Sequence, residues 1–216
     1  TKFNNTRIRV GYLSGSFCSH VTGLLLQDFF KYHNKKKFEI FVYSYGNNDQ
    51  SIYRKKIQNQ CEHFVDLSFL SLEETANRIH EDNIQILVDL QFNTKHDPGR
   101  FQQNKMWLPA LKPAPIQVFY HGFAGTSGTD FMDYFITNKI LTPDNAGISF
   151  TEKMIYMPHT VFINSHPEIK KSLLTHSRSD MNLPENAFVF CSFNNTYKIT
   201  PDLFDDWMEI LKIATN

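Results

Sequence analysis

A charge of one sign, paired cysteines and long apolar runs are all missing from this sequence. Lysine plus arginine and aspartate plus glutamate stand at 22 each in 216 residues, so the formal net charge is zero. That balance removes the basic footprint of a general nucleic-acid binder. No apolar run reaches the roughly 18 residues of a membrane-spanning helix, and the opening TKFNNTRIRV lacks the apolar segment of a signal peptide. Neither membrane nor nucleic acid is therefore expected as a partner. The expected location is cytoplasmic, or also nuclear in a eukaryote. Cys18, Cys61 and Cys191 are odd in number, far apart and in no Cys-x-x-Cys pair. They exclude a disulfide framework and a zinc site, and they fit a reducing compartment. The sequons at Asn4 and Asn194 then carry no expected glycan. Gly11, Gly15 and Gly23 do not make G-x-G-x-x-G, which argues against an NAD-dependent Rossmann protein.

What is present is an ordinary globular composition, 41% hydrophobic and 20% charged, arranged as strands alternating with helices. RIRVGYL (7–13), FEIFVYSYG (38–46), HFVDL (63–67), IQILVDL (84–90), PIQVFY (115–120), DYFIT (133–137) and KMIYM (153–157) read as strands. LLLQDFFKYH (24–33), 52–60 and SLEETANRIHED (71–82) read as helices, the last with a capping box formed by Ser71 and Glu74. This order predicts βαβ units in a doubly wound, parallel Rossmann-like sheet, with ligands beyond the carboxyl ends of the strands. Residues 1–163 form the first domain, 164–183 a charged, serine-rich linker, and 184–216 the start of a second α/β unit. That start comprises an apolar strand at 188–193 and a helix with Thr200 as N-cap and Pro201 at its first position.

Three loops are candidate sites. GYLSGSFCSHVTG (11–23) leaves the first strand and carries His20, whose imidazole can take a proton from a hydroxyl near neutral pH. Its bland reading is an exposed loop histidine, and Cys18 reads as small filler. HGFAGTSGTDF (121–131) follows the fifth strand. Its glycines, with Thr126 and Ser127, could cradle a phosphate, or could simply make a turn. His121 there is weaker evidence. His80 could equally complement a helix dipole. NNTYK (194–198) sets Lys198 between a strand end and a helix N-terminus, where a cation can neutralise a phosphate without metal. No Asp-x-Asp cluster stands where a divalent ion would need it.

In order along the chain, RIRVGYLSGSFCSHVTG, KFEIFVYSYG, RIHEDNIQILVDL, KPAPIQVFYHGFAGTSG, FMDYFIT, TEKMIYMPHT and FCSFNNTYKITPDLFDDWMEIL resemble the catalytic region of the O-linked N-acetylglucosamine transferases, glycosyltransferase family 41. The resemblance implies a two-lobed GT-B fold, here the N-terminal lobe and the start of the nucleotide-sugar lobe, with tetratricopeptide repeats expected upstream. It implies inverting, metal-independent transfer of N-acetylglucosamine from UDP-GlcNAc to serine or threonine hydroxyls of intracellular proteins, with no cofactor beyond that donor. By motif position it implies His20 as base or acceptor-site residue, His80 as a catalytic-region histidine and Lys198 as the group that stabilises the diphosphate. Donor contacts then come from Asn195, Tyr197, Lys198, Gly125, Thr126 and Ser127.

The pattern departs at Gln91-Phe92-Asn93, where the family has x-Gly-Tyr. It departs again at Tyr120-His121, in place of Trp-Leu, and at Ala124, in place of proline. The family's His-Thr-Thr-Gly-x-Asp segment is absent, so the chain reads as truncated inside the second lobe and inactive alone. A GDP-fucose transferase of the same family and a non-catalytic peptide-binding remnant are the alternatives.

Overall fold

The computed structural model describes residues 5–91, 105, 107–165 and 176–214. Asn4, Phe92–Thr94 and residues 166–175 of the expected linker lie outside the described residues. The chain divides into two compact units, Thr1–Pro167 and Glu168–Asn216, and each is described by itself.

The first unit is built on seven strands: β1 (Ile8–Ser14), β2 (Phe38–Ser44), β3 (His63–Asp66), β4 (Ile86–Asp89), β5 (Ile116–Phe119), β6 (Tyr134–Thr137) and β7 (Lys153–Tyr156). Every pairing is parallel, in the order β3-β2-β1-β4-β5-β6-β7. The winding runs outward from β1 to β3, then returns past β1 to β4. The order therefore reverses between β1 and β4, which opens a crevice at their carboxyl ends.

Both faces of the central strands are buried, which is why they read as unbroken apolar runs rather than alternating ones. Val10, Tyr12, Ile40, Val42, Val88 and Val118 form a core with Leu26 of α1 (Val21–Leu26) and Ile57 of α2 (Ile52–Gln60). Leu13, Phe41, Tyr43 and Leu87 point the other way, onto Ala76 and Ile79 of α3 (Leu72–Glu81). Both halves of the α3 capping box form: Glu74 N donates to Ser71 Oγ, and Ser71 N donates to the Glu74 carboxylate.

One buried cation ties three elements together. Arg54 of α2, 1% exposed, donates to Asp66 Oδ2 at 2.7 Å and to Ser44 Oγ at 2.7 Å, and lies over the Phe64 ring. Asp66 is partly exposed, so its loss of partner costs less than in a fully buried pair. Arg54→Ala is expected to lower the unfolding free energy by about 2–3 kcal/mol. Urea denaturation checks this, and an unchanged midpoint contradicts it.

Two expected elements are corrected. The first helix begins at Val21 and ends at Leu26 instead of spanning 24–33; a short 3-10 turn, Phe30–Tyr32, follows. Its last carbonyls are taken by other groups. Gln27 Nε2 donates to the Leu24 carbonyl, Ser165 N donates to that of Leu25, and the Asp28 N–H turns to Ser165 Oγ. In the second unit, residues 188–193 are not a strand: among the described residues nothing pairs with them. An isolated apolar run has no ladder to satisfy its backbone. The helix α4 (Pro201–Ile213) is as expected, with Thr200 Oγ1 accepting from Leu203 N.

Candidate functional site

Because all seven strands run the same way, the loops after β1, β4 and β5 meet at one edge. Gln91, just past β4, joins them. Its Oε1 accepts from Gly15 N at 2.7 Å and from Ser14 Oγ at 3.1 Å, bridging the β1–β4 crevice. Gly122, just past β5, presses on the same segment, and a Cβ there would lie 2.7 Å from the Leu90 carbonyl oxygen. The β1 and β5 loops thus flank one point.

The loop bearing His20 is held from the side by the loop after β2. Asp49 accepts from Ser19 N at 2.6 Å and from Ser51 N at 3.1 Å. Burial opposes its charge, yet these N–H groups hold its carboxyl below the usual range. A Cβ at Gly46 would lie 1.9 Å from the Gly15 carbonyl oxygen, and one at Gly23 2.0 Å from that of Cys18. Backbone contacts therefore fix the loop at both ends.

His20 is exposed and caps α1: its Nδ1 accepts from Thr22 N at 3.1 Å. A neutral imidazole that accepts at Nδ1 carries its proton on Nε2. In this conformation Nε2 is the protonated nitrogen, and a base role for His20 requires the other tautomer.

Of Gly125, Thr126 and Ser127, the expected phosphate cradle, Thr126 and Ser127 hold a carboxylate of the protein itself. The loop has crossed back to the amino edge, where Glu152 immediately precedes β7. Ser127 N donates to Glu152 Oε1 at 2.6 Å, and Thr126 Oγ1 donates to Oε2 at 2.8 Å. Burial raises the Glu152 pKa, but these hydrogen bonds outweigh it and keep the carboxyl low. The protein's own anion occupies the cradle. His80 lies in the last turn of α3 with its side chain exposed. That turn abuts the start of β1, since Arg9 Nη1 donates to the Asp82 carbonyl. His80 is thus at the amino edge, opposite His20, and does not join its site.

In the second unit, Asn195 precedes a 3-10 turn, Thr196–Lys198, whose side chains are exposed. Lys198 stands two residues before the Thr200 cap of α4, with Asp202 in that helix's first turn.

Three residues carry more than the sequence suggested. Asp49 and Gln91 are anchors whose partners are set only by the fold. His121 adopts φ 74°, a left-handed conformation that costs a non-glycine residue about 1–2 kcal/mol. Its Nε2 is buried and has no hydrogen-bond partner among the described residues. The ring stands edge-on to Tyr120 and Phe162. A histidine between a strand end and a close-packed glycine was the available signal.

Burial pulls the pKa values of His121 and His33 below their ordinary 6.5. The folded state resists protons that the unfolded chain accepts, so their contribution is complete above 6.5 and lost as pH falls through the lower folded values. Stability is expected to decline from about pH 6.5 downward, before the carboxylates titrate. Urea midpoints across pH 5 to 8 check this, and a flat profile contradicts it.

Among the described residues, no group of three or more His, Cys, Asp or Glu side chains is placed to hold a metal ion. No helix described is long and apolar enough to cross a membrane.

The model of the family described as "Glycosyl transferase family 41" matches residues 1–174 and 167–216. A probable UDP-N-acetylglucosamine–peptide N-acetylglucosaminyltransferase of Arabidopsis thaliana is 36% identical over 214 residues, covering 97% of this chain and 21% of its own length. A UDP-N-acetylglucosamine–peptide N-acetylglucosaminyltransferase of Caenorhabditis elegans is 40% identical over 171 residues, covering 79% and 14%. A solved mutant of the Thermobaculum terrenum O-GlcNAc transferase matches with TM-score 0.73 at 22% identity, over 96% of this chain and 37% of that one. At that identity it shows the fold, a Rossmann-like α/β architecture of GT-B type. The chain spans about a fifth or less of the curated relatives' length.

Proposed function

The chain belongs to glycosyl transferase family 41, and from that premise we propose that it is part of a protein O-GlcNAc transferase. The full-length enzyme moves N-acetylglucosamine from UDP-GlcNAc to serine or threonine hydroxyls of peptides or proteins, with inversion and without metal. The names of the two relatives support the donor and the peptide acceptor. One observation carries the reading to this chain: the His20 loop, Gln91 and Gly122 converge on the crevice where the strand order reverses.

In this reading the acceptor hydroxyl oxygen attacks the anomeric carbon while the bond to the diphosphate breaks. His20, with its proton on Nε2, donates a hydrogen bond to a substrate oxygen, and the hydroxyl proton passes to an oxygen of the departing diphosphate. Lys198 and the N-terminus of α4 stabilise the negative charge growing on the diphosphate. Asn195 and Tyr197 line the donor side of the same turn. Tetratricopeptide repeats upstream supply further acceptor contacts. A cytosolic or nuclear location is part of the same reading.

The test is transfer from UDP-GlcNAc to an acceptor peptide by the full-length protein in excess EDTA, with the product's anomeric configuration read by NMR. Activity that survives chelation and gives the inverted anomer is expected. Abolition by EDTA, or retention of configuration, contradicts the proposed chemistry.

A further inference from the structure

We infer that His121 touches substrate directly, its Nε2 sharing a hydrogen bond with a neutral polar group, a hydroxyl or an amide, seated at the carboxyl end of β5. The inference rests on the transfer reaction proposed above. His121 leaves β5 beside Gly122, which packs on Leu90 and Gln91 where the β1 and β4 loops meet. The chain holds it at φ 74°, a conformation better suited to glycine or asparagine.

Nothing in the packing asks for an imidazole. The contacts to Tyr120 and Phe162 are ring-edge contacts that phenylalanine would also make, and Nε2 is buried without a partner among the described residues. Polar atoms so placed are normally paired. The surrounding pocket includes Phe123, Phe135, Leu141, Val161, Phe162 and Thr137, and among the described residues no charged side chain lines it. A phosphate would sit there uncompensated, whereas a hydroxyl or amide beside apolar surface fits. Burial keeps the ring neutral, so it can donate or accept.

Such a group exists on both the donor sugar and the acceptor residue. Two variants of the full-length protein separate the sources. His121→Phe keeps the ring and removes both nitrogens. His121→Asn tolerates the left-handed backbone but falls short of the Nε2 position. Each is expected to raise the KM of one substrate about tenfold, the loss of one hydrogen bond, and to leave that of the other within twofold. A raised UDP-GlcNAc KM assigns the contact to the donor, and a raised peptide KM assigns it to the acceptor. If His121→Phe does not fold, His121→Asn carries the test. Calorimetric affinities for UDP-GlcNAc, GDP-fucose and the peptide accompany the kinetics. Should the unmutated protein bind but fail to transfer GlcNAc, the proposed function falls, while a tenfold weaker affinity in the variants still upholds the contact. If both variants leave every KM and affinity within twofold, His121 does not touch substrate.

Discussion

Lys198→Ala is expected to lower the turnover number of the full-length enzyme on the order of 100- to 1000-fold, the usual cost of removing one preorganised donor from a developing oxyanion. Lys198 ends the Thr196–Lys198 turn and stands two residues before the Thr200 cap, so in sequence it adjoins the first N–H groups of α4. Charge on the leaving diphosphate is larger in the transition state than in the bound donor. The effect should therefore fall on turnover, with the acceptor peptide's affinity nearly unchanged. Lys198→Arg should recover little, because a planar guanidinium does not replace a compact ammonium in a tight turn. Steady-state kinetics with separately measured peptide affinity decide it. A variant that keeps more than about a tenth of the turnover returns Lys198 to a solvated loop residue.

The second large effect is expected at Gly23. An alanine Cβ there would lie 2.0 Å from the Cys18 carbonyl oxygen, and a backbone atom cannot swing away as a side chain can. Either α1 or the loop before it must move, at a cost of about 3 kcal/mol. The same shift displaces His20, which caps α1 through Thr22. A misplacement of about 1 Å at a reacting centre can cost roughly 100-fold in rate, so transfer should fall more than stability alone explains. Urea unfolding and transfer assays are the measurements. A Gly23→Ala protein with the original stability and activity would show that the loop does not position the site.

How much was legible follows from how local each determinant is. The Ser71–Glu74 capping box and the Thr200–Pro201 helix start depend on residues a few positions apart, and both form. The parallel sheet was legible because strands buried on both faces leave unbroken apolar runs. The end of α1 was not, because Ser165, far along the chain, takes the Leu25 carbonyl. Residues 188–193 have strand composition, but a strand exists only through a partner.

The site divides the same way. His20 could be placed in a strand-exit loop from sequence, yet its tautomer rests on a backbone contact to Thr22. Thr126 and Ser127 looked open to phosphate because Glu152, which fills their donors, is about twenty-five residues away. Asp49 was invisible for the same reason: its role is to reach Ser19 on a different loop.

Donor identity is the centre of this account, and a competition measures it most directly. The full-length protein is offered UDP-GlcNAc and GDP-fucose at equal concentration with one acceptor peptide, and the mass added to the peptide is read. The account predicts an N-acetylhexosamine on serine or threonine, formed with and without EDTA. A deoxyhexose in its place, or an unmodified peptide under every condition, would contradict it.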